Sequence, residues 1–110
     1  MTEKTFPIDL KDGTYHLKFD NHALYRFEEV QGESAVMVMM KGATGVRPLN
    51  HFIWAGLLHE YPHITVSEVI KNVDSHKMKK YGMIISEAID YAFSTGEETP
   101  DTKKKPNQSQ

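Results

Sequence analysis

Two histidines and a glutamate in the middle of the chain match the zinc-binding pattern H-E-x-x-H. The segment reads His59-Glu60-Tyr61-Pro62-His63. In this pattern the two histidines lie one turn apart on a helix and bind zinc, while the glutamate acts as a general base. Taken alone, the spacing is typical of a metalloprotease.

Pro62 argues against this chemistry, because both histidines must lie on one continuous helix for their rings to converge on a metal. A proline there has no N–H and clashes with the carbonyl of Leu58. We therefore predict that the helix ends before His63. No convincing third ligand follows, since His76 is the only later histidine and Glu68 has a capping role. The sequence predicts a non-enzyme with no catalytic residue, metal or cofactor, and zinc hydrolysis is a remote alternative.

The composition excludes further classes of site. The chain has no cysteines, so disulfides and thiolate chemistry are ruled out, and a reducing cytoplasm is the expected location. A net charge of −2 gives no bulk attraction for nucleic acid. No run approaches the ~18 apolar residues that a membrane span needs, so we expect no membrane partner.

A small group of lysines lies near the predicted start of the last helix, at Lys77, Lys79 and Lys80. Such a group is typical of a solvated helix start.

The N-terminal residues alternate between apolar and polar side chains in two short runs, which predicts a β-hairpin. Asp12-Gly13 separates the runs and is a strong signal for a two-residue turn. This turn predicts the facing pairs Leu10 with Tyr15, Ile8 with Leu17, and Phe6 with Phe19. It also gives Pro7 a position that should donate a ladder hydrogen bond, so pairing should fray there. The unpaired edge of the hairpin could bind a second copy, which leaves a homo-oligomer open.

Periodicity and capping signals predict about four to five helices that cover the hairpin. Asn21 can cap the first helix, and Gly32 ends it. Ser34 opens a methionine-rich run that periodicity cannot assign, although the cap favours one or two helical turns. Pro48 suits the first turn of a helix that is apolar around most of its circumference and therefore buried. A glycine at position 56 of this helix costs ~1 kcal/mol of stability relative to alanine. This cost favours a structural reason for the glycine, which we interpret as a tight crossing with another helix.

Two more helices complete the predicted fold. Thr65-Val66-Ser67-Glu68 is a capping box, so a helix should begin at Val66. A last apolar pattern runs from Tyr81 to Phe93, and Gly96 should end it. Residues 96–110 are polar, which predicts a disordered tail after a single domain of residues 1–95. The expected fold class is α+β, an N-terminal β-hairpin packed on a bundle of about four to five α-helices.

The order of these features resembles the tail assembly chaperones of long-tailed phages and related gene transfer agents. The resemblance covers roughly Phe6 to Phe93. Its first part runs from Ile8 through Leu17-Lys18-Phe19 to Phe27-Glu28-Glu29 and Gly32, and its more specific part contains Trp54-Ala55-Gly56-Leu57-Leu58-His59-Glu60-Tyr61-Pro62, Ile64-Thr65 and Glu68-Val69. In the family the His-Glu-x-Pro segment is a helix end and turn without metal, which agrees with the proline argument.

The resemblance implies a non-catalytic protein of the bacterial host cytoplasm that binds the tape measure protein. It would keep that long, helical, aggregation-prone chain soluble while the tail tube is built around it, with the tail tube protein as a further candidate partner. The alternative function is another phage or prophage adaptor, such as a head–tail joining or regulatory protein. Many family members also have a longer, frameshifted form, and codons for Lys103-Lys104-Lys105 could supply a slippery run of adenines.

Binding a helical client needs exposed apolar area, and methionine suits this role because its unbranched, polarizable side chain adapts to varied partners. The candidate contact residues are Met37, Met39, Met40, Trp54, Tyr61 and Met83. For the methionines the alternative is that they fill a small core. Trp54 and Tyr61 are more typical of a core than of a contact surface.

Overall fold

The computed structural model describes residues 4–42 and 45–94. In chain order the elements are β1 (Phe6–Leu10), β2 (Gly13–Leu17), α1 (Asn21–Gln31), α2 (Ala35–Met40), α3 (Val46–Leu57), α4 (Val66–Asn72), a 3-10 turn (Ser75–Lys77) and α5 (Met78–Ser94). The predicted α+β fold, a hairpin followed by helices, is confirmed. None of the described helices is long and apolar enough to cross a membrane. The predicted helix end at Gly96 and the predicted tail lie outside the described residues.

The hairpin forms at the predicted place, but its turn comes one residue earlier than Asp12-Gly13. Lys11 and Asp12 form the turn, and Leu10 lies opposite Gly13 instead of Tyr15. Gly13 opens β2 with a φ of 148°, a conformation that glycine adopts readily. The predicted pairing was therefore wrong by two residues, an even shift that keeps the same side chains on the apolar face. The other observed pairs on this face are Phe6 with Leu17 and Ile8 with Tyr15.

Pro7 explains the observed pairing. In a two-residue turn the flanking pair exchanges both ladder hydrogen bonds, and bonded and non-bonded pairs then alternate along the strands. Pro7 lies opposite His16, in a pair whose backbone groups point away from the partner strand. Its missing N–H therefore costs no ladder hydrogen bond, whereas the predicted register needed a donor there.

Both outer edges of the hairpin are held by other parts of the chain. On the β1 side, the Tyr81 hydroxyl donates to the Asp9 carbonyl at 2.8 Å, and the Lys11 N–H donates to the Asn72 carbonyl at 2.8 Å. On the β2 side, His59 Nε2 donates to the His16 carbonyl at 2.8 Å, and the Lys18 N–H donates to the Gly56 carbonyl at 3.0 Å. A second copy that paired along either edge would have to replace these hydrogen bonds.

The central element is α3, which packs against α1, α4, α5 and β2. As predicted, Pro48 lies in its first turn and almost its whole circumference is buried. The Phe52 ring stacks on Phe27 of α1 with centroids 3.8 Å apart, and it meets Phe19 edge-on at 6.0 Å. The apolar face of the hairpin and the inner faces of the helices therefore share one hydrophobic core.

Gly56 of α3 marks a close approach, as predicted, but the neighbour is not a helix. A Cβ built on Gly56 would lie 2.9 Å from Leu17 Cδ2 and 3.0 Å from Phe19 Cζ. The prediction of a tight helix crossing was therefore wrong. The glycine instead lets the end of β2 and the residues after it lie directly on α3, where the Lys18 N–H reaches the Gly56 carbonyl.

The helix ends follow the local capping chemistry closely. Asp20, one residue before the predicted Asn21, caps α1 by accepting from the Ala23 N–H at 2.9 Å. Gly32 ends α1 in the left-handed conformation with φ 79°, as predicted. Ser34 accepts from the Met37 N–H at the start of α2. The capping box of α4 forms in full, with Thr65 and Glu68 bonding to each other's backbone N–H.

Candidate protein-binding surface

The H-E-x-x-H segment does not form a zinc-binding helix. α3 ends at Leu57, and each histidine lies in a separate turn after it, with Pro62 directly before His63. His59 uses Nε2 to donate to the His16 carbonyl, while the His63 side chain is exposed. The two histidines therefore do not share a helix. Over residues 4–42 and 45–94, no group of three or more histidine and carboxylate side chains is arranged to hold a metal ion.

Two of the candidate methionines project from α2 away from the core. This helix turns Ala35 and Val38 inward, so side chains on the opposite side face outward. Met37 is 50% exposed and Met40 is 75% exposed. Met39 is half-buried and packs against the core, so its contribution to an outer surface is smaller. The structure thus places Met37 and Met40 where a partner can reach them.

Met83 lies beside a groove between α5 and the turn that follows α2. The groove has a volume of about 440 Å³ and is lined by Gly42, Leu49, Met78, Lys79, Gly82, Met83 and Ser86. We call it the α5 groove. Leu49 of α3 is buried and forms part of the apolar wall, and Met83 is 65% exposed. Gly42 comes two residues after the exposed Met40, but neither Met37 nor Met40 belongs to the groove lining.

Trp54 does not belong to this surface, which corrects its place among the candidate contacts. Its side chain is only 5% exposed. The indole Nε1 donates to the Ile64 carbonyl at 2.9 Å, and the Arg26 guanidinium lies 5.4 Å from the ring centroid. Trp54 therefore joins α3 to the segment before α4 and serves the core.

Tyr61 lies on a separate surface. It is 44% exposed, and its ring meets that of Tyr15 edge-on with centroids 5.5 Å apart. The Tyr15 hydroxyl donates to Asp12 Oδ2 at 2.9 Å; this hydrogen bond, together with burial and the nearby carboxylate charge, raises the pKa of Tyr15. Around these rings is a shallow groove lined by Tyr15, Glu60, Tyr61, Pro62, His63, Ile64 and Glu68. It shares no lining residue with the α5 groove.

A third, smaller groove was not predicted from the sequence. Its lining contains Val46, Arg47, Asn50, His51 and Ile70. His51 Nδ1 donates to Gln31 Oε1 at 2.7 Å, and burial, followed by the charge of Arg47, lowers the pKa of His51. Periodicity could not reveal this site, since it depends on how α3 and α4 meet.

The sequence interpretation also missed Met78, Lys79 and Gly82 in the α5 groove. One signal was present, because Gly82 interrupts an otherwise good helical pattern and glycine is unfavourable there. No sequence signal marked Gly42 and Leu49 as residues of the groove, since their position relative to α5 depends on tertiary packing.

Comparison with known proteins found no counterpart. The sequence matches no protein-family model and no curated protein, and no solved structure matches the chain.

Proposed function

We propose that this protein is a tail assembly chaperone that binds the tape measure protein of a phage or prophage and keeps it soluble in the host cytoplasm. The observation that carries the proposal is the exposure of methionine side chains at two places, Met37 and Met40 on α2 and Met83 in the lining of the α5 groove. The resemblance of the sequence to that chaperone family supplies the identity of the client.

The chemistry of this surface suits a helical client. An amphipathic helix presents apolar side chains at intervals of three and four residues, and such a helix binds by laying them into an apolar groove. Methionine side chains can adjust to different apolar shapes at little cost. A chaperone that covers successive segments of one long chain needs this tolerance rather than one exact fit.

Co-expression with a tape measure protein tests the proposal. The proposal predicts a very long open reading frame near the gene for this protein; its product is the partner to co-express, and the readout is the soluble fraction of that product. The wild-type protein should raise that fraction, and the double variant Met40→Glu/Met83→Glu should raise it much less. Tyr25→Glu is the matched control, because Tyr25 is 64% exposed on α1 and outside the α5 groove.

Failure of the wild-type protein to solubilise the tape measure protein would overturn the chaperone proposal. An adaptor role at the head–tail junction predicts a different result, namely stable binding to a connector protein with no effect on the tape measure protein. Genome position separates the two as well, since the chaperone gene should lie between those for the major tail protein and the tape measure protein.

A further inference from the structure

Three lysines lie at the start of α5, the end of a helix where positive charge is unfavourable. Lys77 lies in the 3-10 turn, and Lys79 and Lys80 lie in the first turn of α5, which contains no acidic residue. The N-terminus of a helix carries partial positive charge, so cations are unfavourable there and anions are favourable. Among the described residues, Lys79 forms no ion pair. By this electrostatic argument, the three lysines do not themselves stabilise the start of α5 in the free protein.

Gly82 is a second unfavourable choice in the same helix. Glycine costs backbone entropy in a helix interior, so alanine would be better there unless space is lacking. A Cβ built on Gly82 would meet no atom within 4 Å, so space is not lacking. Gly56 differs, since the end of β2 occupies the room that its side chain would need. The fold itself therefore gives no reason for a glycine at position 82.

Both features face the α5 groove, since Lys79 and Gly82 belong to its lining. We propose that this groove binds one amphipathic helix of a partner, which passes close over Gly82 and places an acidic side chain against Lys79. The apolar side chains of that helix would contact Met78, Met83 and Leu49. The inference rests on the proposed function, in that the helix is taken to be a segment of the tape measure protein.

The dimensions and charge of the groove favour this occupant. Its α5 wall runs from Met78 to Ser86, which is about 12 Å at a rise of ~1.5 Å per residue. That length matches about two turns of a bound helix, enough for apolar contacts at i, i+3 and i+7. Among the described residues, Lys79 is the only charged one in the lining, so the lining carries a positive charge. An acidic partner therefore fits better than a basic one.

The chain's own C-terminal segment is a poor occupant on grounds of composition. Residues 95–110 contain two prolines and no other aliphatic or aromatic side chain. Such a segment has nothing to bury against methionine and leucine. A ligand that binds the apolar groove must itself have an apolar face to bury.

Two substitutions separate client binding from folding. Gly82→Leu puts a good helix former into open space, and Lys79→Glu places a carboxylate at the positive end of α5. Both should leave the melting temperature unchanged or raise it, while both should weaken client binding by about tenfold or more. Lys80→Leu and Lys80→Glu are the matched controls. They place the same side chains near the start of the same helix, outside the groove lining, and should leave client binding unchanged.

Defined probes test the partner chemistry directly. Two synthetic amphipathic peptides of ~18 residues, about five helical turns, share one leucine face and carry either glutamate or lysine along its border. Fluorescence anisotropy gives their affinities, and amide shifts in NMR spectra of the protein locate the contact. The glutamate peptide should bind more tightly and shift the amides of residues 78–86. Tighter binding of the lysine peptide, or shifts confined to another surface, would overturn the inference.

The failures of the two proposals are distinguishable. If the wild-type protein and Gly82→Leu solubilise the tape measure protein equally well, the groove inference is wrong and the chaperone proposal survives. If neither solubilises it but the glutamate peptide binds in the groove, the groove stands and the identity of its client is wrong. If the free protein forms a dimer that Gly82→Leu abolishes, the occupant is a second copy and the inference is wrong.

Discussion

Gly56 and Gly82 are both interior residues of helices, yet their surroundings give them opposite meanings. An added methyl group at Gly56 would overlap Leu17 and Phe19, which are buried in the core. The same group at Gly82 would meet nothing within 4 Å. Alanine is intrinsically preferred to glycine at both helical positions, so the difference in stability between the two alanine variants mainly reflects packing.

We expect Gly56→Ala to destabilise the protein and Gly82→Ala to stabilise it. Overpacking a core costs about 1–3 kcal/mol, and the helix preference for alanine returns about 1 kcal/mol, so Gly56→Ala should lower the free energy of unfolding by about 1 kcal/mol. Gly82→Ala should raise it by about 0.5–1 kcal/mol. Urea unfolding followed by circular dichroism measures both. Equal effects of the two substitutions would show that β2 does not lie on α3 at Gly56.

His59 and His63 have the spacing of zinc ligands but different structural roles, which alanine variants can separate. His59→Ala removes the donor to the His16 carbonyl and should lower the free energy of unfolding by about 0.5–1.5 kcal/mol. His63→Ala removes an exposed side chain and should change it by less than about 0.5 kcal/mol. Denaturant unfolding and metal analysis of the same samples provide the readouts. Stoichiometric zinc that both variants lose would restore the metal hypothesis.

At the scale of elements, the sequence predicted best what is decided by neighbouring residues. The capping box at Thr65, the cap at Ser34 and the stop at Gly32 all depend on contacts within a few residues. The predicted hairpin register is wrong because a turn at Asp12-Gly13 puts Pro7 in a hydrogen-bonded pair, where its missing N–H would be needed. The structure uses Lys11 and Asp12 as the turn instead, with Gly13 as the first residue of β2, and so places Pro7 where no ladder N–H is needed.

The candidate surface was predictable only in part. Exposure of Met37 and Met40 follows from α2 turning Ala35 and Val38 inward, but helical periodicity alone could not decide which face of so short a helix is buried. Trp54 was misplaced among the contacts because its partner, the Ile64 carbonyl, lies ten residues away on another segment. The walls of the α5 groove come from three elements, and their meeting is a property of the tertiary fold.

The capping box offers a direct test at the element scale. Thr65→Ala removes the side chain that accepts from the Glu68 N–H at 3.1 Å and should lower the free energy of unfolding by about 1 kcal/mol. Ser67→Ala is the control, because Ser67 is exposed in the same first turn and caps nothing. Thermal unfolding of the two variants gives the comparison. A cost no larger than that of Ser67→Ala would mean that packing, and not the capping box, holds the start of α4.

At the scale of the whole molecule, a few hydrogen bonds join segments far apart in the chain. The Tyr81 hydroxyl donates to the Asp9 carbonyl and accepts from the Asp74 N–H at 3.3 Å, so one buried group joins α5, β1 and the turn before α5. The same bond protects the outer edge of the hairpin. Long-range ties of this kind fix how the hairpin is placed on the helices.

Tyr81→Phe should therefore weaken the fold as a whole. It leaves two backbone groups without their partner at nearly constant side-chain volume, at a cost of about 1–3 kcal/mol in the free energy of unfolding. Tyr91→Phe is the control, since Tyr91 is 41% exposed and should lose less than about 0.5 kcal/mol. Hydrogen exchange gives a local readout, in which the Asp74 amide should exchange faster in Tyr81→Phe. An unchanged rate at that amide would contradict the bond.

The stability of the molecule should also depend on pH through His51. Burial, and then the charge of Arg47, lowers the pKa of His51 in the folded protein below its usual value of 6.5. The unfolded chain then binds a proton more readily than the folded one. The free energy of unfolding therefore decreases as the pH drops below about 6.5, whereas above that pH the neutral His51 ring causes no loss of stability. We expect the loss of stability between pH 7.5 and 5 to be smaller in His51→Gln than in the wild-type protein. The control is His22→Gln, at an exposed position, which should keep the pH dependence of the wild-type stability. If the stability of His51→Gln instead changes with pH in parallel with the wild type, the imidazole of His51 is not buried against Arg47.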